Sequence, residues 1–241
     1  MILYVDATRG LSGDMLLAGM VRLGLPLERV ERAISELGLR DVGLRMAGVS
    51  VNGTEAGRLL LRMDRTNGGP PGALHQIIRW VKQSRLSAPL RMRLARAFAV
   101  LGQAEAAAHG AAWRRVVLHQ LADPDTAVDF LGFALGLEFL RIRKVHVSVI
   151  RLGDRHFDDQ GRLRLKTGPA TGWLLRAFPV ERVGGFEWTT PTGAALMAAF
   201  ATPEPPPAFQ MKGLAHSVGT GTPPGGPSPL RLILGIPWDG A

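Results

Sequence analysis

The sequence predicts an α/β or α+β fold, in which a mixed sheet is covered by helices within a single compact domain. Short apolar runs typical of strands occur at residues 2–6, 42–63, 145–152 and 214–236. Amphipathic or Ala- and Leu-rich runs of helical length lie between them. With 46% hydrophobic residues among 241, the chain can also bury a large core.

The first strand and helix carry a candidate site. A short apolar run ends at Asp6, and Gly10, Ser12 and Gly13 form a turn into an amphipathic helix. Such a turn points backbone N–H groups at an anion, and Asp14 adds a carboxylate beside them. Capping of the helix by Ser12 or Asp14 accounts for the same residues without a ligand. Residue chemistry leaves both interpretations open.

The elements that follow are predicted to be scaffold. Asn52 and Gly53 are the turn sequence of a two-residue β-hairpin. The Gly- and Pro-rich stretch at 67–72 cannot continue a helix or a central strand, so we expect a loop there. The predicted scaffold elements are a helix at 27–37, strands at 42–51 and 58–63, and helices at 74–82 and 89–109.

A second candidate site lies at the start of a helix predicted to begin near Pro124. Asp125 and Asp129 are one helical turn apart on the same face, and His119 precedes them. One imidazole and two carboxylates can hold a divalent cation. The alternative is that Asp123 caps the helix, Asp125 favours its first turn, and His119 makes an ordinary hydrogen bond.

The third candidate is the segment EWTTPTGAAL at residues 187–196. Thr189 or Thr190 can cap a helix whose first residue is Pro191, and Gly193 permits a close approach. Hydroxyl and N–H groups at this turn would hold an anion, although a plain capped helix fits the same residues. The remaining predicted elements are a helix at 127–140, a strand at 145–152, a helix from 169 and strands at 214–221 and 230–236.

Composition narrows the functional classes. The chain has no cysteine, so imidazole, carboxylate, hydroxyl or backbone oxygen must hold any metal. The formal charge is +9, but the basic residues are scattered from Arg9 to Arg231 without interleaved aromatics, so we expect no nucleic-acid partner. No apolar run matches a membrane span and the N-terminus lacks signal-peptide features, so we expect a cytoplasmic protein without a membrane partner.

Three segments resemble one known family. In this order, VDATRGLSGDM, VLHQLADPDTAVDFLGFALGLEFL and TTPTGAAL are similar to segments of the LarC family, the nickel-insertion proteins of nickel-pincer nucleotide maturation. The ending VGTGTPPGGPSPLRLILG resembles the close of the family's N-terminal module. The resemblance therefore covers residues 1–236, with 237–241 as a tail, and it does not include the family's C-terminal module, which handles CTP with a divalent ion.

The resemblance implies a lyase of the metal-chelatase type. Its substrates would be Ni²⁺ and a dithiocarboxylated pyridinium mononucleotide, or another phosphorylated small molecule, with Mg²⁺ or Mn²⁺ accompanying a nucleotide. A separate protein could supply the C-terminal module. The implied roles are catalysis for Asp14 and Glu187, cofactor binding for Arg9, Gly10, Ser12, Gly13, Thr190, Thr192 and Gly193, and metal ligation for His119, Asp125 and Asp129.

The chain also departs from the family pattern. Val117 and Gln120 stand where the family has histidine and glutamate, and only His75 lies near a loop that is histidine-rich in the family. These departures favour the alternative of a non-catalytic member that binds a nucleotide or a partner protein, whereas the intact SGDM and TPTGAA segments favour nickel insertion. In either case we expect the turns at 10–14 and 190–193 to meet, so that two helix N-termini and Arg9 hold one phosphate.

Overall fold

The first strand lies inside a seven-stranded mixed sheet in the computed structural model. The structure describes residues 1–63, 72–110, 116, 123–153, 155–157, 163–165, 167–223 and 225–238. Within these ranges the elements are β1 (Ile2–Asp6), α1 (Gly13–Arg22), α2 (Leu27–Leu37), β2 (Val42–Val51), β3 (Thr54–Met63), α3 (Leu74–Gln83), α4 (Ala88–His109), α5 (Pro124–Phe139), β4 (Lys144–Val147), β5 (Ile150–Gly153), β6 (Arg155–Phe157), β7 (Leu163–Leu165), α6 (Pro169–Leu174), β8 (Val180–Val183), α7 (Pro191–Phe200), β9 (Ala201–Thr202), β10 (Phe209–Ser217) and β11 (Leu230–Pro237).

The sheet joins strands from both ends of the chain. Its order is β2-β3-β10-β11-β1-β4-β9, in which β1 pairs antiparallel with β11 and parallel with β4. The predicted mixed sheet, covered by helices in a single compact fold, is confirmed. The predicted domain boundary after residue 236 stays a prediction. None of the helices in the described ranges is long and apolar enough to cross a membrane.

Helix α1 is buried between the sheet and α5. A Cβ added to Gly19 would lie 2.8 Å from Cγ of Leu232 in the sheet. A Cβ added to Gly132 would lie 2.7 Å from Cδ2 of Leu17, which α1 directs towards α5. Glycine at these positions allows the helix to pack tightly on both neighbours, so the start of α1 is held firmly in the core.

The predicted hairpin is present. Strands β2 and β3 pair antiparallel around Asn52 and Gly53, whose φ angles of 50° and 80° suit a two-residue hairpin turn. Strand β3 begins at Thr54 rather than at residue 58. Gly57 does not interrupt it, because its missing side chain leaves room for Met46 and Arg22, whose atoms a Cβ would meet at 2.8 and 2.9 Å.

Other predicted bounds need correction. The single strand predicted at 145–152 is two strands. The Ser148 N–H donates to the Val5 carbonyl, but the Ala7 N–H donates to the Ser148 hydroxyl instead of its backbone carbonyl, so the pairing with β1 ends there. Strand β5 then leaves the main sheet and pairs with β8. Strand β10 occupies 209–217 rather than 214–221, since it pairs with β11 from Phe209 onward and the following glycines enter a loop. Most of the loop predicted at 67–72 lies outside the described residues.

Candidate functional site

A cavity of about 620 Å³ lies where the start of α1 meets the start of α7. The Leu11 N–H donates to the Trp188 carbonyl at 2.8 Å, and the Leu11 carbonyl accepts from the Thr190 N–H at 3.0 Å. A Cβ added to Gly193 would lie 2.8 Å from the same Leu11 oxygen, so only glycine permits this approach. The turns at 10–14 and 190–193 are therefore in direct contact.

Most of the predicted site residues face this cavity. Gly13 and Gly193 are buried beside it. His119 lies outside the described residues, so its place in the site stays a prediction. The predicted residues that line the cavity are Arg9, Gly10, Ser12, Asp14, Asp125, Asp129, Glu187, Thr190 and Thr192.

The Asp14 carboxylate is held through both oxygens. Its Oδ1 accepts from the Met15 N–H at 2.8 Å and from the Ser12 hydroxyl. Its Oδ2 accepts from the Thr220 N–H at 3.0 Å and from the Thr220 hydroxyl at 3.4 Å. Asp14 thus fastens the loop after β10 to the start of α1, a positioning contact that the sequence did not reveal.

Asp129 packs directly against the first residue of α1. A Cβ added to Gly13 would lie 2.7 Å from the Asp129 Cγ, so the carboxyl occupies the space that a side chain at 13 would fill. Burial, followed by the negative charges of Asp14 and Asp125, raises the pKa of Asp129 well above its usual 3.8. A cation bound at this point would offset that repulsion.

The cavity is acidic although the chain is basic. Four carboxylates line it, those of Asp14, Asp125, Asp129 and Glu187, together with the guanidinium of Arg9. Arg9 is exposed and has no ion-pair partner within the described part of the chain. In the ranges that the structure describes, no group of three or more His, Cys, Asp or Glu residues is arranged to hold a metal ion.

The two helix starts differ in what they offer an anion. The start of α1 already holds the Asp14 and Asp129 carboxylates of the chain itself. At the start of α7, the Thr190 hydroxyl accepts from the Gly193 N–H at 3.2 Å and lies 2.8 Å from the Thr192 hydroxyl. The Thr190 and Thr192 hydroxyls, with Arg9 on the same cavity, are therefore better placed for an anion than the start of α1.

Several lining residues were missed by sequence reasoning. Phe186 and Trp188 flank Glu187 on the cavity, and Thr220 lies in the loop after β10. The alternation of aromatic residues around one carboxylate in FEW was a signal that could have found the first two. Thr220 had no comparable signal, because its role depends on a contact with a residue 206 positions earlier in the chain.

Comparison with known proteins decides the family. The model of a family described as nickel insertion protein matches residues 3–240. The chain belongs to the nickel insertion protein family. The resemblance inferred from the three sequence segments is thereby confirmed.

Relatives in the nickel insertion protein family come from several bacteria. Provisionally named nickel insertion proteins of Geotalea daltonii and Geobacter metallireducens are 34% identical over 241 and 239 residues, and each match covers 97% of this chain. That of Myxococcus xanthus is 34% identical over 246 residues. The chain spans about 60% of the length of these relatives. No solved structure matches the chain.

Proposed function

We propose that this member of the nickel insertion protein family binds Ni²⁺ in the cavity and inserts it into a dithiocarboxylated pyridinium mononucleotide. One observation carries the proposal. The three segments that resemble the family are far apart in sequence, yet residues of all three line one cavity: Asp14 from the first, Asp125 and Asp129 from the second, and Thr190 from the third.

In the proposal, Asp125 and Asp129 are ligands of the Ni²⁺ ion. Carboxylates and imidazole are suitable ligands for a borderline dication in a chain without cysteine. We assign Asp125 and Asp129 as ligands and propose that His119 completes the set. Asp14 and Glu187 add negative charge to the same cavity and would raise the local concentration of a dication.

In the proposal, Arg9 and the start of α7 bind the nucleotide. The cavity volume of about 620 Å³ falls within the range of roughly 300–1,000 Å³ that is typical of small-molecule sites. In the proposal the phosphate lies against Arg9 and the Thr190 and Thr192 hydroxyls, while the ring lies nearer the carboxylates. This arrangement would place the metal-accepting atoms of the ring beside the bound Ni²⁺.

Calorimetric titration with Ni²⁺ tests the metal side. A His119→Ala, Asp125→Asn double variant should bind Ni²⁺ roughly tenfold or more weakly than the wild type. The matched control is His109→Ala with Glu31→Gln, which removes one exposed imidazole and one exposed carboxylate that do not line the cavity. Equal affinities in the wild type and the double variant would remove these two residues from the site.

The same titration has a pH dependence. Wild-type affinity should fall as the pH is lowered, because a protonated imidazole cannot ligate a metal. The double variant, which lacks His119, should show a shallower fall. Mg²⁺ and Mn²⁺ titrations under the same conditions show whether the site distinguishes Ni²⁺ from harder cations.

Insertion itself requires a separate measurement. The protein is incubated with Ni²⁺ and the dithiocarboxylated mononucleotide, with and without CTP, and nickel is then measured in the small-molecule filtrate after removal of free metal. Nickel that travels with the nucleotide supports the proposed reaction. Tight binding of both substrates without any nickel transfer would favour the non-catalytic binding role.

A further inference from the structure

We infer that Phe186 and Trp188 form an aromatic wall, in which Trp188 stacks against the planar ring of the ligand and Phe186 supports it, and that this wall determines which ligands the cavity accepts. The inference rests on the proposed function, because it assigns the ring of the proposed substrate to one side of the same cavity. Both side chains line the cavity, on the segment that joins β8 to α7.

The backbone holds this aromatic wall in place. The Trp188 carbonyl accepts from the Leu11 N–H at 2.8 Å, which ties the wall to the turn before α1. Gly10 permits this contact, since its φ is 118° and an added Cβ would lie 3.1 Å from the Trp188 carbonyl oxygen. At the far end, the Phe186 ring approaches Gly221, where an added Cβ would lie 3.5 Å from Cζ. The wall therefore lies against both the turn before α1 and the loop after β10.

The two rings also support each other. Their centroids are 5.3 Å apart with an interplanar angle of 71°, an edge-to-face arrangement. The Arg151 guanidinium lies over the Trp188 ring, 4.9 Å from its centroid, and Arg151 is not among the residues that line the cavity. These contacts fix the ring orientations before any ligand arrives, which reduces the entropy lost on stacking.

Core packing does not account for these aromatic residues. Trp80 and Trp173 pack against the hydrophobic core, whereas Phe186 and Trp188 belong to no core cluster among the described residues. Both rings are only half-buried. Pre-positioned, half-exposed aromatic surface on a cavity is suited to a flat aromatic ligand, and Glu187 between them favours a ring with cationic character.

The test compares two probes that share a phosphate but differ in the ring. Nicotinamide mononucleotide carries a pyridinium ring, and ribose 5-phosphate carries none. Trp188→Ala should weaken binding of the mononucleotide about tenfold and leave ribose 5-phosphate binding unchanged, because stacking on an aromatic side chain is lost only for the ring. Trp188→Phe should retain most of the affinity, while Trp188→Leu should lose it despite its apolar side chain.

Trp173→Ala is the matched control. This tryptophan also has an arginine over its ring, with the Arg176 guanidinium 3.6 Å from the ring centroid, but it does not line the cavity. It should bind both probes as the wild type does. Equal loss of both probes in Trp188→Ala, or no loss of either, would overturn the inference, and so would wild-type protein that binds neither. Ni²⁺ titration of the same variants should be unchanged, so failure of the metal proposal is detected separately.

Discussion

Gly13 and Asp129 depend on each other at the level of single residues. Because residue 13 has no side chain, the Asp129 carboxyl can lie against the start of α1, where it also meets the negative charge of Asp14. The carboxyl is therefore desolvated and repelled by its neighbours at the same time. The ionised Asp129 carboxylate therefore destabilises the metal-free protein, and it is the group that the bound cation is proposed to contact.

We predict that Asp129→Asn stabilises the metal-free protein at pH 7–8, on the order of 1 kcal/mol in the free energy of unfolding. The folded-state pKa of Asp129 lies above its usual value, so the folded protein holds this proton more tightly than the unfolded chain does. The stability linked to that proton is present at low pH and is lost as the pH rises through the folded-state pKa.

Urea unfolding from pH 3.5 to 8, in the presence of a chelator, measures this effect. The gain should shrink towards pH 3.5, where most molecules of the wild type carry the proton in both the folded and the unfolded state. Glu31→Gln, at an exposed carboxylate of α2, should change stability little at any pH. A variant less stable than wild type at pH 8 would show that ionised Asp129 makes a favourable contact.

At the scale of elements, the contact between α1 and α5 determines where the site forms. Gly132 lies against Leu17, and the same pair of helices carries Gly13 and Asp129 at its cavity end. A change in the packing at Gly132 should therefore alter both stability and the alignment of the carboxylates. Strands β10 and β11 support the other side of α1, where the Ser217 hydroxyl donates to the Met15 carbonyl and Gly19 contacts Leu232.

We predict that Gly132→Val destabilises the protein by about 1–3 kcal/mol, because the new side chain would overlap Leu17 in a closely packed core. The same change should weaken Ni²⁺ binding, since it separates α5 from α1. Thermal unfolding and titration measure the two effects. Gly172→Ala is the control, because a Cβ added at Gly172 in α6 meets no atom within 4 Å. Unchanged stability in Gly132→Val would mean that Leu17 repacks without cost.

At the scale of the whole molecule, the sheet makes the two ends of the chain interdependent. Strand β11 lies between β10 and β1, and its Leu230, Leu232 and Leu234 side chains are buried in the core. Between β11 and β1, Arg231 forms an ion pair with Asp6. The chain therefore cannot be divided at residues 68–72 into halves that each retain this sheet.

We predict that a chain ending at Pro229 does not fold cooperatively, because it lacks a strand from the interior of the sheet. Circular dichroism and urea unfolding should show the loss of a single sharp transition. A chain ending at Trp238 retains every described element and serves as the control. A sharp transition in the shorter chain would show that the rest of the sheet folds cooperatively without β11.

Local residue patterns were sufficient to predict much of the secondary structure of this protein. The helix at 27–37 and the hairpin at Asn52 and Gly53 depend on turn residues and periodicity within a few positions, and the structure has both. The prediction of one strand at 145–152 was wrong, because the strand is interrupted by hydrogen bonds between Ser148 and two residues near the N-terminus, Val5 and Ala7. No local pattern contains that information.

The candidate site divides in the same way. The sequence alone identified the residue types of the three segments and their resemblance to the nickel insertion protein family, since both are properties of short contiguous stretches. The sequence analysis also predicted that the turns at 10–14 and 190–193 meet, but only the tertiary structure placed Asp129 with Asp14 and Thr190 on one cavity and added Phe186, Trp188 and Thr220 to it. Their approach depends on α1 packing against α5 and on the Leu11 bridge to α7, contacts between residues more than 100 positions apart that sequence periodicity does not encode.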